Sequence, residues 1–255
     1  MTKVIKPRKW LHIDFAELWQ FRELAFFLTS RDIKIRYKQS VLGILWAVIQ
    51  PVATMLVFSI LFGALMGREN KPTIEGIPYA ISTFAALVPW RLFAFSIGNA
   101  GNSLVANRNM ITKTYFPRLL IPMSSVMAGV VDFLLAFAVL AAMMVWYGLA
   151  PGWEILMLPV FSLLAVVTIF SFSLWLSALN AVYRDVKYVV PFLTQVLMFV
   201  TPVVYPAKKV MGSMPEWAQV LYSLNPMFSV VEGFRWCLLS NAAEKIRADT
   251  VPDVS

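Results

Sequence analysis

Four cations, Arg31, Lys34, Arg36 and Lys38, are packed into the start of SRDIKIRYKQSVLGILWAVIQP (residues 30–51), and 26 uncharged residues, Val41–Met66, follow them. Guanidinium and ammonium groups in such a cluster can capture an anionic substrate. The same groups can also rest on anionic headgroups and set topology; the residues alone leave both readings open. Two further charges, Arg91 and Asp132, stand inside apolar stretches. A charge at membrane depth pairs or lines a cavity. The two sit about ten and about thirteen residues from the same side, a mismatch of roughly 5 Å at ~1.5 Å per residue. A salt bridge between adjacent antiparallel helices is therefore expected, with pore lining as the other reading. Glu232 and Arg235, three apart, can pair along a helix. None of this is bond-making chemistry. Cys237 is the only cysteine and His12 the only histidine, so no disulfide framework, Cys/His metal site or Cys–His nucleophile is expected. No Gly-Lys dipeptide occurs, so the GxxxxGK[ST] phosphate loop is missing, and GxSxG, HExxH and CxxC are missing too. The expectation is no catalytic residue, no metal ligand and no ATPase of its own.

The elements that position these charges are membrane helices. Of 255 residues 59% are hydrophobic and only 14% charged, well below the roughly 25% charged of soluble domains; mean hydropathy is +0.70. The formal charge of +8 would suit nucleic acid in a soluble protein, but here the cations flank apolar runs, which favours a membrane surface over nucleic acid. Spans are expected at Val41–Met66, Tyr79–Gly101, Leu119–Gly148, Ile155–Val182 and Val189–Val204. Only helices fit, since lipid leaves backbone groups unsatisfied and no barrel alternation is present. Prolines 51, 89, 159, 191 and 202 fall in or near these spans and invite kinks. Basic residues crowd the segment before the first span and the loops at Arg108–Arg118 and Arg184–Lys187. The opposite loops hold only Arg68 and Lys71. The positive-inside rule puts the N-terminus in the cytoplasm.

Between residues 17 and 39, Leu18, Phe21, Ala25 and Leu28 recur at helical spacing and predict an amphipathic helix in the interface plane. Residues 32–38 alternate with period two, but a lone strand at a bilayer surface would leave an unpaired edge, so helix is preferred. After the fifth span, Ser213 with Glu216 makes a capping box. Asn225-Pro226 starts a second helix of fourteen residues to Leu239, with Asn as N-cap and Pro at the first position. About 21 Å of helix is short of a ~30 Å core, so a re-entrant hairpin, a possible gate, is expected. The basic loop NSLVANRNMITKTYFP (102–117) is the best docking surface for a separate ATPase.

ELWQFRELAFFLTSRDIKIRYKQSVLGILWAVIQP, IPYAISTFAALVPWRLFAFSIGNAGNSLVANRNMITKTYFPRLLIP, NAVYRDVKYVVPF and LNPMFSVVEGFRW, in this order, resemble the membrane subunit of type-2 ABC exporters of cell-surface polysaccharide: O-antigen, capsule or teichoic acid. The likeness runs from about Glu17 to Leu239. It implies an all-α polytopic permease of a bacterial inner membrane, working as a homodimer with an ATPase subunit that carries the ATP and Mg; no cofactor is expected in this chain. It implies an interfacial helix over Glu17–Lys38, a coupling helix within Val105–Phe116 (Asn107, Arg108, Lys113, Tyr115, Phe116) and external gate helices over Met214–Leu239 (Asn225, Glu232, Arg235). A lipid-linked glycan would pass between protomers, past Tyr37, Trp46 and Gln50, with Arg31, Arg36 and Lys38 holding its pyrophosphate at the entrance. The chain then divides into 1–40 (N-terminus and interfacial helix), 41–204 (spans), 205–240 (gate) and 241–255 (polar tail) of one transmembrane domain. The family's sixth span has no counterpart in SNAAEKIRADTVPDVS, so the C-terminus is expected outside. The alternative function is a type-2 permease for a drug or another lipid. A membrane glycosyltransferase is disfavoured: the loops are short, and Asp185 stands alone beside Arg184 and Lys187.

Overall fold

The computed structural model describes residues 15–38, 43–65, 77–205, 207–212 and 214–250. Among these residues the chain is helical throughout, without a strand: α1 (Phe15–Gln20), α2 (Arg22–Lys38), α3 (Trp46–Leu65), α4 (Tyr79–Ala106), α5 (Arg108–Lys113), α6 (Leu120–Trp146), α7 (Leu158–Val182), α8 (Val186–Val200), α9 (Ala207–Met211), α10 (Glu216–Ser223) and α11 (Pro226–Thr250). Short 3-10 turns precede α3 (Gly43–Leu45) and α7 (Trp153–Met157).

Four of these segments are long and apolar enough to cross a bilayer: Gly43–Leu61, Tyr79–Ala106, Leu120–Trp146 and Trp153–Val182. Their burial singles out one. The most apolar window of α4 is 78% buried, against 17–28% for the others. Thus α4 is the axis, and α3, α6 and α7 present most of their side chains to lipid. Phe84, Leu87, Phe93 and Ile97 of α4 meet Leu140 of α6, Ile169 of α7 and Phe234 of α11 in one core. With little hydrophobic force available between helices in lipid, close packing must come from small residues. Gly129 of α6 supplies one such contact: a Cβ there would lie 2.8 Å from Ser96 Oγ and 2.9 Å from a Phe95 ring carbon. Gly129→Leu is therefore expected to pry α4 from α6 and cost about 1–3 kcal/mol. Thermal unfolding of the detergent-purified protein reads this, and an unchanged midpoint would refute the close approach.

The fifth expected span is corrected. α8 ends at Val200, and its fifteen residues reach about 22 Å, short of a ~30 Å core. Apolar composition runs on to Val204, but Thr201–Tyr205 form turns buried among helices. Irregular backbone at membrane depth needs protein partners for its polar groups, and they are present. Tyr205 Oη donates to the carbonyls of Phe199 (2.7 Å) and Val200 (3.2 Å). Val203 N donates to Thr201 O, and Tyr79 Oη to Val204 O, both at 2.7 Å. Arg235 Nη2 donates to Val203 O (2.6 Å) and its Nη1 to Tyr205 O (3.2 Å).

The second hairpin helix is also corrected. α11 runs 25 residues, from Pro226 to Thr250, where fourteen were expected. Polarity rises after Leu239, but Ala242, Ala243, Glu244 and Lys245 are strong helix formers and carry the helix on. Asn241 Nδ2 donates to Ala150 O at 3.2 Å, which sets this part of α11 at the turn between α6 and α7, the end of the bundle away from α5. Of the expected capping box, Ser213 lies outside the described residues; α10 starts at Glu216 after Pro215 with no side-chain cap. The expected cap of α11 is present: Asn225 Oδ1 accepts from Met227 N at 3.1 Å. Of the expected prolines, Pro51, Pro89 and Pro191 lie inside helices, while Pro159 is in the first turn of α7.

Residues 32–38 are helical, as preferred over a strand. Ala25 and Leu28 of α2 pack with Phe116, Leu120 and Ile121, while Trp19, Phe26, Phe27 and Ile35 stay exposed. That division suits a helix resting on the bundle with its aromatic flank toward lipid. The expected segments 1–14 and 251–255, and Arg68 and Lys71, lie outside the described residues.

Candidate functional site: a charged cluster under the interfacial helix

The last turn of α2 dips into the bundle and brings its charge to membrane depth. Arg36 forms an ion pair with Asp132 of α6 through Nη1. Its guanidinium lies over the Phe95 ring, 3.9 Å from the centroid, a cation–π contact in a desolvated place. Tyr37 Oη donates to the other Asp132 oxygen. Burial first, then the Asp132 carboxylate, push the Tyr37 phenol above its ordinary range, so the tyrosine stays a donor at any physiological pH. The expected Arg91–Asp132 pair is thus corrected: Asp132 is bonded to Arg36 and Tyr37 of α2, and among the described residues no ion pair joins it to Arg91. Arg91 Nη2 instead donates to Gln50 Oε1 of α3 at 2.9 Å. Arg36, Arg91, Asp132 and Gln50 line one cavity of about 190 Å³ between α3, α4 and α6. Sequence spacing missed Arg36 as the partner because it lies 96 positions away, on an element read as interfacial.

A second cavity, of about 670 Å³, lies between α2, α4 and α6. Its walls carry Asp32, Asn99, Asn102 and Asn107, with Arg36 and Phe95 shared with the first cavity. Asn102 Oδ1 accepts from Asn180 of α7 at 3.1 Å, and the same amide nitrogen reaches Gly101 O. Amides inside spans are the signal that would have found this wall.

The expected entrance cations are differently placed. Arg31 is tied to Asp32 (2.9 Å) and donates to Asn107 Oδ1 (3.0 Å). Arg36 is neutralised by Asp132. Only Lys38 keeps an exposed ammonium, beside Lys34 on a shallow groove with Phe27 and Ile35. Arg31 and Lys38 share the groove on the outer side of α2, and Arg31 and Arg36 share the larger cavity beneath it, with each arginine paired to a carboxylate. Of the expected lining residues, Tyr37 and Gln50 join the cluster, whereas Trp46 stands half-exposed on the first turn of α3.

At the expected coupling segment, α5 spans Arg108–Lys113. Arg108, Lys113 and Tyr115 are exposed, and Tyr115 Oη donates to Glu17 Oε1 at 3.2 Å. Phe116 is 6% exposed and packs beneath α2, so it anchors the loop. Asn107 is turned inward, bonded to Arg31 and to Ser103 O (2.9 Å). α5 is therefore flanked by a link to α2 on one side, through Asn107 and Arg31, and a link to α1 on the other, through Tyr115 and Glu17.

At the other end of the bundle, Arg235 is 4% exposed and donates to Ser82 O (3.2 Å), Val203 O, Tyr205 O and Glu232 Oε1 (2.7 Å). The expected Glu232–Arg235 pair forms. Asn225 Nδ2 donates to Thr201 Oγ1 at 2.9 Å, joining α11 to the end of α8. Tyr205 and Tyr222, which sequence reasoning passed over, share a hydroxyl–hydroxyl contact of 3.0 Å. Burial and then the Tyr205 hydroxyl raise the Tyr222 phenol. Among the described residues no cluster of three or more His, Cys, Asp or Glu is placed to hold a metal ion.

Comparison with known proteins gives one consistent result. The family model described as "ABC-2 type transporter" matches residues 23–239. An "O-antigen export system permease protein RfbA" of Myxococcus xanthus is 31% identical over 86% of this chain and 81% of its own length. A Klebsiella pneumoniae protein of the same description is 31% identical, over 84% and 79%. A "Polysialic acid transport protein KpsM" of Escherichia coli is 25% identical, over 82% and 77%.

Proposed function

Since this chain belongs to the ABC-2 type transporter family, we propose that it is the membrane subunit of an ATP-driven exporter of lipid-linked cell-surface polysaccharide. The observation that carries this reading is the family match across 23–239 joined to relatives whose names specify O-antigen export and polysialic acid transport. The chain lacks a phosphate-binding loop, so ATP and Mg belong to a separate nucleotide-binding subunit. That subunit docks at α5, where Arg108, Lys113 and Tyr115 are exposed. The links Arg31–Asn107 and Glu17–Tyr115 then carry its motion to the interfacial helix. Two copies enclose the path of the glycan. The chain sits in a bacterial inner membrane with α2 and α5 on the cytoplasmic side, in keeping with the excess of Lys and Arg before the first span and in the α4–α6 and α7–α8 loops. α9–α11 then gate the outer side.

Co-purification tests the reading. The full chain, tagged and extracted in detergent, is expected to bring down a nucleotide-binding subunit whose ATP turnover rises with lipid-linked glycan. A chain that purifies alone, or a partner indifferent to glycan, would sink it. Asn107→Ala isolates the coupling step. Only one neutral-to-charged hydrogen bond and one helix-end bond are lost, so stability is expected to drop by only about 1–2 kcal/mol. Glycan-stimulated ATP turnover is expected to fall several-fold while basal turnover holds.

A further inference from the structure

Glu154, at the turn between α6 and α7, has no counter-charge. No Lys or Arg occurs between Arg118 and Arg184, so neither helix nor the turn joining them supplies one. Among the described residues no ion pair reaches its carboxylate, and Oε2 is buried without a donor. A Cβ on Gly152 would collide with that Oε2 and lie 2.8 Å from Asn241 Cβ. The carboxylate is thus folded over the Gly152 backbone at the side of α11, where the Asn241 amide nitrogen is turned to Ala150 O instead. Glu154 as a whole is only part-buried, so a ligand can reach it from the surface.

The residue before it, Trp153, meets Trp236 of α11 edge to face, with ring centroids 6.4 Å apart at 90°. Both indoles are open, 68% and 44% exposed. Trp146 and Tyr147, where α6 ends, are exposed as well, and so are the apolar side chains of Val145 and Leu156. Aromatic residues at the ends of spans mark the headgroup zone of a bilayer. A belt role accounts for the rings but not for an unpaired carboxylate beside them. Indole faces attract a cation. A carboxylate strengthens that preference and favours a cation with N–H donors, which a primary ammonium has and a quaternary one lacks.

We propose that Glu154, Trp153 and Trp236 form a headgroup site for a phospholipid with a primary ammonium, the chemistry of phosphatidylethanolamine. In the orientation proposed above, this lipid belongs to the outer leaflet. Exposed apolar side chains around the site favour a lipid over an amine dissolved in water.

The test uses the full chain in detergent, stripped of lipid. It is titrated separately with phosphatidylethanolamine and phosphatidylcholine of the same acyl chains, and bound lipid is counted by native mass spectrometry. Wild type is expected to hold its first phosphatidylethanolamine about tenfold more tightly than its first phosphatidylcholine. Glu154→Gln is expected to bring the two within about twofold, and Glu154→Asp, which keeps the charge on a shorter arm, to fall between. Trp236→Leu is expected to weaken phosphatidylethanolamine by about two- to fivefold. Asp185→Asn, which alters an exposed carboxylate of the α7–α8 loop, is expected to leave the ratio unchanged. Free ethanolamine separates the sources: displacement of the lipid shows that the amine alone is recognised, and retention shows that the rest of the lipid is needed; both place the ammonium at Glu154. A wild-type ratio near one overturns the site without any variant. So does a preference untouched in Glu154→Gln, or displacement by magnesium but not by ethanolamine, which would make this a metal site. Neither ATP turnover nor transport is measured, so the site can fail while the export reading stands, and the reverse.

Discussion

Arg235→Leu is expected to be the most damaging single substitution in the protein, lowering stability by about 3–5 kcal/mol. The side chain is 4% exposed and joins three stretches of chain: the first turns of α4 through Ser82 O, the turn after α8 through Val203 O and Tyr205 O, and its own helix through Glu232. Removing it strands carbonyls that no water can reach. Arg235→Lys is expected to recover little, because one ammonium cannot reproduce a fork that serves several acceptors. Glu232→Gln separates the two roles. Its side chain is 32% exposed, and its loss is expected to cost about 1 kcal/mol or less. Unfolding of the detergent-solubilised protein under added SDS reads all three. Equal losses for E232Q and R235L would show that the ion pair, not the carbonyl network, is what matters.

Asp132→Ala is expected to cost about 2–3 kcal/mol, by leaving the half-buried Arg36 guanidinium without its counter-charge. Arg36→Leu strands Asp132 in turn and is expected to be nearly as costly. The double variant, with neither charge, is expected to recover much of the loss, giving a coupling of about 2–3 kcal/mol in a double-mutant cycle. Arg91→Leu paired with Asp132→Ala is expected to show a clearly smaller coupling, since no direct contact joins them. The reverse order, strong coupling to Arg91 and weak coupling to Arg36, would restore the pairing that spacing alone suggests.

The local features of this protein were legible and the long-range ones were not. Four spans follow from long apolar runs, two of them interrupted by a single charge. The helix over 32–38 follows from the cost of an unpaired strand edge, and the Asn225 cap and the Glu232–Arg235 pair from residues two and three positions apart. Hydropathy overran α8 because Thr201–Tyr205 are as apolar as a helix interior. What ends the helix there is Pro202, which lacks an N–H and holds Thr201 extended, while Tyr79, Tyr205 and Arg235 satisfy the carbonyls around the break. It also stopped α11 short, because a polar stretch of good helix formers ends a membrane run without ending a helix. The partner of Asp132 was misread because depth arithmetic considered only neighbouring spans, whereas the cation came from the surface helix. Which of Tyr115 and Phe116 is turned inward was not legible in the sequence, because only the packing of α2 decides it.

The Arg36–Asp132 contact also has a bearing on biogenesis. When the stretch that becomes α6 leaves the translocon, its carboxylate enters hydrocarbon with no countercharge in the same segment. The matching arginine has by then been synthesised and waits at the headgroup level. Insertion of the third crossing is thus thermodynamically tied to retrieval of an earlier, peripheral piece of polypeptide. Quality-control proteases would sense a lapse in that retrieval as a half-inserted segment, well before any cargo was encountered.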